Sequence, residues 1–323
     1  MSEKMSDKKK NPVVRLLPPM NKVMLALTPA LVASIYFFGW RVFIMFVVVN
    51  ISGFLAEYIF SKQYNEPVNS SVFVTNFLFV MIIPPTLPYW MAIVGIVFSV
   101  IFGKMVFGGF GKNIFNPALV GRAFIYVTFA SYMTGNWAKP AKGLMGSLLK
   151  YTPDAITSAT VLSTGENIDM NFYLNALIGN IPGSIGETSA ILLLIGGLYL
   201  LKKKVASKTI VIWTFIGMFV MQGLFLSFGL AGNIDLLTSI LSGGFILGLF
   251  FMATDPVSAP KQENAKIFYG IFIGVMTSVI RTFSVWPEGM MFAILLANMF
   301  APLMDIGAKE WKKRQKSKQM KAA

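Results

Sequence analysis

Apolar runs close to the roughly twenty residues that a helix needs to cross a bilayer core recur at residues 22–40, 41–60, 72–83, 89–107, 114–132, 188–201, 210–228, 236–252, 267–283 and 290–306. They predict an all-α integral membrane protein of about ten transmembrane helices. The third run is short and ends at Pro84-Pro85, and the fifth begins at Asn116-Pro117, so both are expected to be broken or half-length. One long polar stretch, residues 134–187, separates five runs from five. The chain therefore divides into a basic N-terminus (1–21), a first five-helix unit (22–133), a loop (134–187), a second five-helix unit (188–306) and a basic tail (307–323).

The two units share a faint pattern. From Phe77 to Phe124 an apolar helix, a Pro-rich break, a Gly-containing helix, Gly-Gly-Phe-Gly, Asn-Pro and another helix follow in order. From Phe245 to Phe300 the order is an apolar helix, the break from Asp255 to Pro260, a helix, Pro287-Glu288-Gly289 and a final helix. An odd number of spans per unit inverts the second relative to the first. Inverted repeats with interrupted segments in matching positions direct attention to a site near the bilayer midplane.

Composition agrees with a chain dissolved in lipid, at 55% hydrophobic residues and a mean hydropathy of +0.65. No short apolar region with a small-residue cleavage site follows the basic start, so no cleaved signal peptide is expected. With both termini inside, the cytoplasmic side receives the lysines of the N-terminus, Lys202, Lys203, Lys204 and Lys208, and the tail. Only Arg41, Lys139, Lys142, Lys150 and Arg281 fall outside. This bias explains the net charge of +14, and it points to anionic membrane lipid as the partner of the tails, not nucleic acid. The loop 134–187 then faces outward, and its aromatics Trp137, Tyr151, Phe172 and Tyr173 argue that it is ordered.

Chemistry is bounded by what is missing. The chain has no Cys and no His, so it holds no iron–sulfur cluster, haem or typical zinc site on its own, and any electron carrier is organic or belongs to a partner. The segment from Gly108 to Ala118 is the densest group of special residues. It lacks the third glycine of a dinucleotide fingerprint, with Ile114 in that place, and no βαβ unit surrounds it. It reads as a re-entrant or unwound segment: Gly109 and Gly111 let backbone approach a flat ligand, and Asn113 and Asn116 offer amide groups matching a flavin's pyrimidine edge. Ionisable residues in or near spans are costly; these are Glu57, Arg122, Asp255, Glu288 and Asp305, with Asp255 foremost as a step in an ion path because it precedes a Pro-rich break. In the outer loop, Asp154 to Thr160 ends in an accessible hydroxyl beside the small residues Ser158 and Ala159.

The segments Gly108 to Phe124, Asp154 to Thr160 and Thr254 to Pro260 together resemble the membrane subunits of the Rnf and sodium-pumping NADH:quinone oxidoreductase complexes, the NqrB/RnfD family, over nearly the whole chain. The resemblance implies FMN esterified through its phosphate to Thr160, with Ser158 where the family usually has glycine, and riboflavin near Asn113 and Asn116. Total length and a short N-terminus lean toward the RnfD type within that family. That lean implies a bacterial inner-membrane component of the Rnf complex that relays electrons between ferredoxin and NAD while Na+ or H+ is moved. Its partners would be a second covalent-flavin subunit and membrane-embedded and peripheral iron–sulfur subunits. The alternatives are the NqrB type of the quinone reductase, a flavin-free small-molecule channel of the urea-transporter type, whose ten-span inverted repeat this pattern also resembles, and a scaffold that only anchors redox subunits.

Overall fold

A computed structural model describes residues 13–134, 137–138, 140, 151, 170–187, 189–231, 235–284 and 289–322. The helices in chain order are α1 (Pro18–Phe38), α2 (Trp40–Gln63), α3 (Ser71–Met81), α4 (Tyr89–Gly103), α5 (Pro117–Thr128), α6 (Ala130–Thr134), α7 (Met170–Ile178), α8 (Ala190–Lys202), α9 (Lys208–Ser227), α10 (Leu236–Leu241), α11 (Phe245–Leu247), α12 (Glu263–Phe283) and α13 (Gly289–Ala322). A π-helical turn, Gly248–Met252, continues α11. Two residues at each of Val14–Arg15 and Val68–Asn69 pair in parallel and tie the start of the chain to the α2–α3 turn.

Six described helices are long and apolar enough to cross a membrane, and α3, α5 and α8 are shorter apolar helices. The half-length reading of the third and fifth runs agrees with α3 and α5, of 11 and 12 residues. The eighth run departs from expectation. It breaks at Ser242-Gly243-Gly244, where both glycines take the left-handed conformation (φ 63° and 64°) that side chains with a Cβ disfavour. The tail departs as well, because α13 continues to Ala322 and the basic segment is a helical extension of the last span. In the loop 134–187, α7 and a 3-10 turn, Ile185–Glu187, are the regular elements described; Asp154, Ser158 and Thr160 lie outside the described residues.

The two units pack alike. α2 packs on α4 and α4 on α5; in the second unit α9 packs on α12 and α12 on α13, while α1 meets α8 across the centre. The start of α1 (Met20) and the end of α8 (Leu200) line one cleft, as do the start of α3 (Ser71) and the π turn (Phe250). Matching helices thus run in opposite directions, as an inverted repeat requires. The chain is an all-α integral membrane protein: side chains such as Ile51, Ile59, Phe219 and Val220 stand exposed on the outer faces of α2 and α9, where lipid replaces water. Helices approach closely through small residues; a Cβ added at Gly274 of α12 would fall on the Thr214 carbonyl of α9.

Broken helices leave backbone groups that lipid cannot satisfy, and charged side chains supply the partners. Arg41 donates from Nε to the Pro85 carbonyl at 2.9 Å and from Nη2 to those of Thr86 and Leu87 at 3.2 and 2.9 Å. Arg281 donates to the carbonyls of Ser239, Ser242 and Gly243 around the α10–α11 break. Asp305 accepts from the backbone N–H groups of Lys261 and Gln262. Arg41 also receives the loop, since its backbone N–H donates to the Tyr151 carbonyl at 2.9 Å and Tyr151 shares a hydroxyl contact with Tyr89. The bundle therefore has a loop end, where α2 and α4 begin, and a basic end, where α1 begins and α8 finishes.

Candidate functional site

At the basic end the first unit contributes the segment between α4 and α5. Gly108, Gly109 and Gly111 have φ of 98°, 89° and 90°, which only glycine adopts without strain. Open space surrounds a Cβ built at Gly109 or Gly111, so the turn, not close approach to a neighbour, is what requires them. The turn carries Phe110 and Asn113 inward. Asn116 then caps α5, its Oδ1 accepting from the Ala118 N–H at 3.1 Å, with Pro117 in the first helical position as capping chemistry favours. Asn113 is not helical, and its Nδ2 donates to the Phe115 carbonyl at 3.0 Å. The two amides meet as a loop and a cap, not as successive turns of one helix.

From the second unit comes the break after the π turn. Asp255 folds it, its carboxylate accepting from the Val257 N–H at 3.1 Å and from the Ser258 hydroxyl at 3.0 Å. Asn298 of α13 joins the two breaks: its Oδ1 accepts from the Asn116 N–H at 3.0 Å, and its Nδ2 donates to the Tyr269 hydroxyl at 2.7 Å and the Ser258 carbonyl at 3.4 Å. Between them lies a narrow cleft of about 60 Å³, walled by Val23, Val74, Leu78, Leu200, Phe250 and Phe251 and bearing Thr75, Lys104, Phe110, Asn113, Asn116 and Asp255. An apolar concavity with a few converging polar groups is the usual form of a small-molecule site.

Lys104 forms the charged floor. It is 2% exposed, donates to Glu57 Oε2 at 2.6 Å and to the Ser71 hydroxyl at 2.8 Å, and lies 5.8 Å from the Phe110 ring centroid. Glu57 is equally buried, and the pair neutralises itself where an isolated charge would be untenable. Asp255 adds a second carboxylate near enough for Lys104 to feel its charge.

Of the residues singled out by sequence, Asn113, Asn116 and Asp255 share the cleft, and Glu57 reaches it through Lys104. Gly109 and Gly111 shape its rim. Asp305 is committed to backbone N–H groups of the break. Arg122 sits apart from the cleft, buried on α5 with Nη2 3.5 Å from the Ser184 hydroxyl and in the field of Glu187. Glu288, like the loop residues Asp154, Ser158 and Thr160, lies outside the described residues. Sequence reasoning passed over Lys104, Asn298 and Tyr269. Lys104 carried the same signal as Glu57, an ionisable side chain at the end of an apolar run, and a buried asparagine in the final span carried a weaker one.

A sequence model described as the NQR2, RnfD, RnfE family matches residues 14–312. Similar proteins include the B-type subunit of the Na(+)-translocating NADH-quinone reductase of Klebsiella pneumoniae (strain 342), 41% identical over 270 residues, which are 81% of this chain and 65% of that protein. The proteins of the same name from Yersinia pestis and Ectopseudomonas mendocina (strain ymp) are 41% and 42% identical, over 81% of this chain and 64% and 65% of theirs. The chain thus spans about 65% of the length of the relatives it matches.

Proposed function

The chain belongs to the NQR2, RnfD, RnfE family, and on that premise we propose that it is the NqrB-type membrane component of a Na+-translocating NADH:quinone reductase. The named relatives support the quinone reductase over the RnfD type. On this reading the basic end is the cytoplasmic side of a bacterial inner membrane, the loop end faces outward, and other subunits of the complex supply and remove electrons.

The observation that carries the reading is the cleft at the basic end. Its donor set matches an uncharged flavin: two amides for a heterocyclic edge, Phe110, Phe250 and Phe251 for the ring faces, and the Thr75 hydroxyl. Bound there, riboflavin would supply one- and two-electron chemistry that no side chain of this chain provides. The protein's own part is position and field. Asn113 and Asn116 orient the heterocycle, the aliphatic wall excludes water, and the Lys104 ammonium places positive charge beside any site where negative charge develops. FMN would be held by a phosphoester on Thr160 of the outer loop. For the ion, Asp255 and Glu57 are the favoured carboxylates, because both border Lys104, while Asp305 is engaged with backbone and Arg122 stands apart.

Intact mass after co-expression with a flavin transferase tests the covalent site. The expected result is a gain of one FMN less water, lost in Thr160→Ala. An unmodified wild-type chain would leave the flavin-free channel standing, and electron transfer surviving Thr160→Ala would leave the scaffold. For the inner site, Asn113→Leu together with Asn116→Ser, which keeps a capping oxygen, is expected to abolish co-purification of non-covalent flavin; unchanged flavin content would remove it from the cleft.

A further inference from the structure

Beside the cleft, sharing Val205, Ala206, Thr254 and Pro256 with it, lies a second recess of about 560 Å³. The α8–α9 turn, the break before α12 and the first turn of α12 form its walls, and they bring Lys204, Lys208, Lys261 and Lys266 to one hollow. Glu263, the single acidic side chain among the lining residues, is taken by Lys266 at 2.6 Å and by the Thr209 hydroxyl at 2.9 Å. Positive charge is left in excess. Lys204 holds a left-handed backbone (φ 56°), a conformation in which glycine would be unstrained, so the side chain is kept at that turn against the backbone's preference.

We propose that this recess binds the phosphate headgroup of an anionic phospholipid. The chemistry is that of lysine clusters between membrane helices, which bind phosphate-bearing headgroups. The phosphate here is assigned to lipid and not to a free anion because of what lies one to two turns further along the same helices. Leu198, Ile212 and Phe268, one on each of the helices that wall the recess, stand exposed there, apolar surface available to acyl chains. A headgroup so placed would bridge the end of α8, the start of α9 and the start of α12, and so brace the wall that the recess shares with the cleft. The inference does not depend on flavin or on the identity of the transported ion.

Native mass spectrometry of the full chain, released from detergent after incubation with phosphatidylglycerol or phosphatidylcholine, tests it. Phosphatidylglycerol is expected to remain bound in preference to phosphatidylcholine. Lys204→Gly combined with Lys208→Ala and Lys261→Ala should weaken the preference roughly a hundredfold, about fivefold per lysine. Lys204→Gly preserves the turn, which separates lost binding from lost folding. A control, Lys313→Ala with Lys316→Ala and Lys318→Ala, removes equal charge from the tail helix and should retain the lipid. Equal retention of both lipids, retention in the recess variant, or loss in the tail variant alone would overturn the proposal. Inorganic phosphate forms the last arm: if it displaces phosphatidylglycerol and stabilises the delipidated chain equally well, the site is a free-anion site and the lipid assignment fails.

Discussion

Lys104→Met removes the ammonium from the floor of the cleft while nearly keeping its volume, and leaves Glu57 buried without its cation. At the observed 2.6 Å, and with an effective dielectric constant near 20, the pair's attraction is about 6 kcal/mol before desolvation is subtracted. Desolvation cancels much of that in the intact pair, which is why pairs of this kind add little net stability. The balance changes when one partner is removed, because the other keeps its desolvation cost and loses its attraction; losses of about 3–5 kcal/mol follow. For a chain of this size each kcal/mol moves the melting temperature by about 2 °C, so Lys104→Met should melt roughly 6–10 °C below wild type. Glu57→Leu should fall by a similar amount. The double variant should return to within about 1 kcal/mol of wild type. Fluorescence-detected size exclusion after a temperature series, on detergent-solubilised protein, reads all four corners of the cycle. A double variant that loses the sum of the two single losses would show that the residues do not act as a pair and would refute the reasoning.

Asn298→Leu should cost about 2–3 kcal/mol, since it strands the buried Asn116 N–H and Tyr269 hydroxyl, and it should loosen the cleft enough to raise proteolysis between α4 and α5; unchanged cleavage there would argue against Asn298 as the link. Gly109→Ala is expected to destabilise by about 1 kcal/mol because its left-handed backbone disfavours a Cβ, whereas Gly223→Ala, mid-helix with open space around its Cβ position, should stabilise by about 0.5–1 kcal/mol; a shared sign in thermal melts would contradict the contrast. Gly274→Leu should prevent α9 and α12 from seating, seen as aggregation during size exclusion, while Gly307→Leu, also with open space around it, should behave as wild type.

Spans were legible because lipid demands long apolar runs, and every predicted run has a helical counterpart. Breaks were legible only where proline marks them, at Pro84-Pro85, at Asn116-Pro117 and between Asp255 and Pro260. The break at Gly243-Gly244 was not, because glycine in an apolar run is equally consistent with close helix packing, as at Gly217 and Gly274. Only the backbone angles separate the two uses. The site was partly legible for the same reason. Asn113, Asn116 and Asp255 stand beside prolines or glycines, but Lys104 sits in an apolar run with its partner 47 positions away, and no local pattern couples them. Asp305 illustrates the opposite error, since a carboxylate near a span end has a structural task, capping a broken helix, that composition cannot distinguish from ion binding.

On the proposed reading, the two flavin sites do not share an end of the bundle. Tyr151 is held by Arg41 and Tyr89, at the start of α4, while the cleft gathers around Lys104, just past the end of the same helix. Fourteen rises of 1.5 Å separate Tyr89 from Gly103, about 21 Å along α4. The interior between them is close-packed: Gly95 meets Ile125 and Phe79, and Gly121 abuts Ser99. An ion reaching Lys104 from the basic end faces a packed interior beyond it, so its exit requires a rearrangement or a partner subunit. On the proposed reading, this chain supplies the two terminal stations of the path and leaves its middle to the rest of the complex.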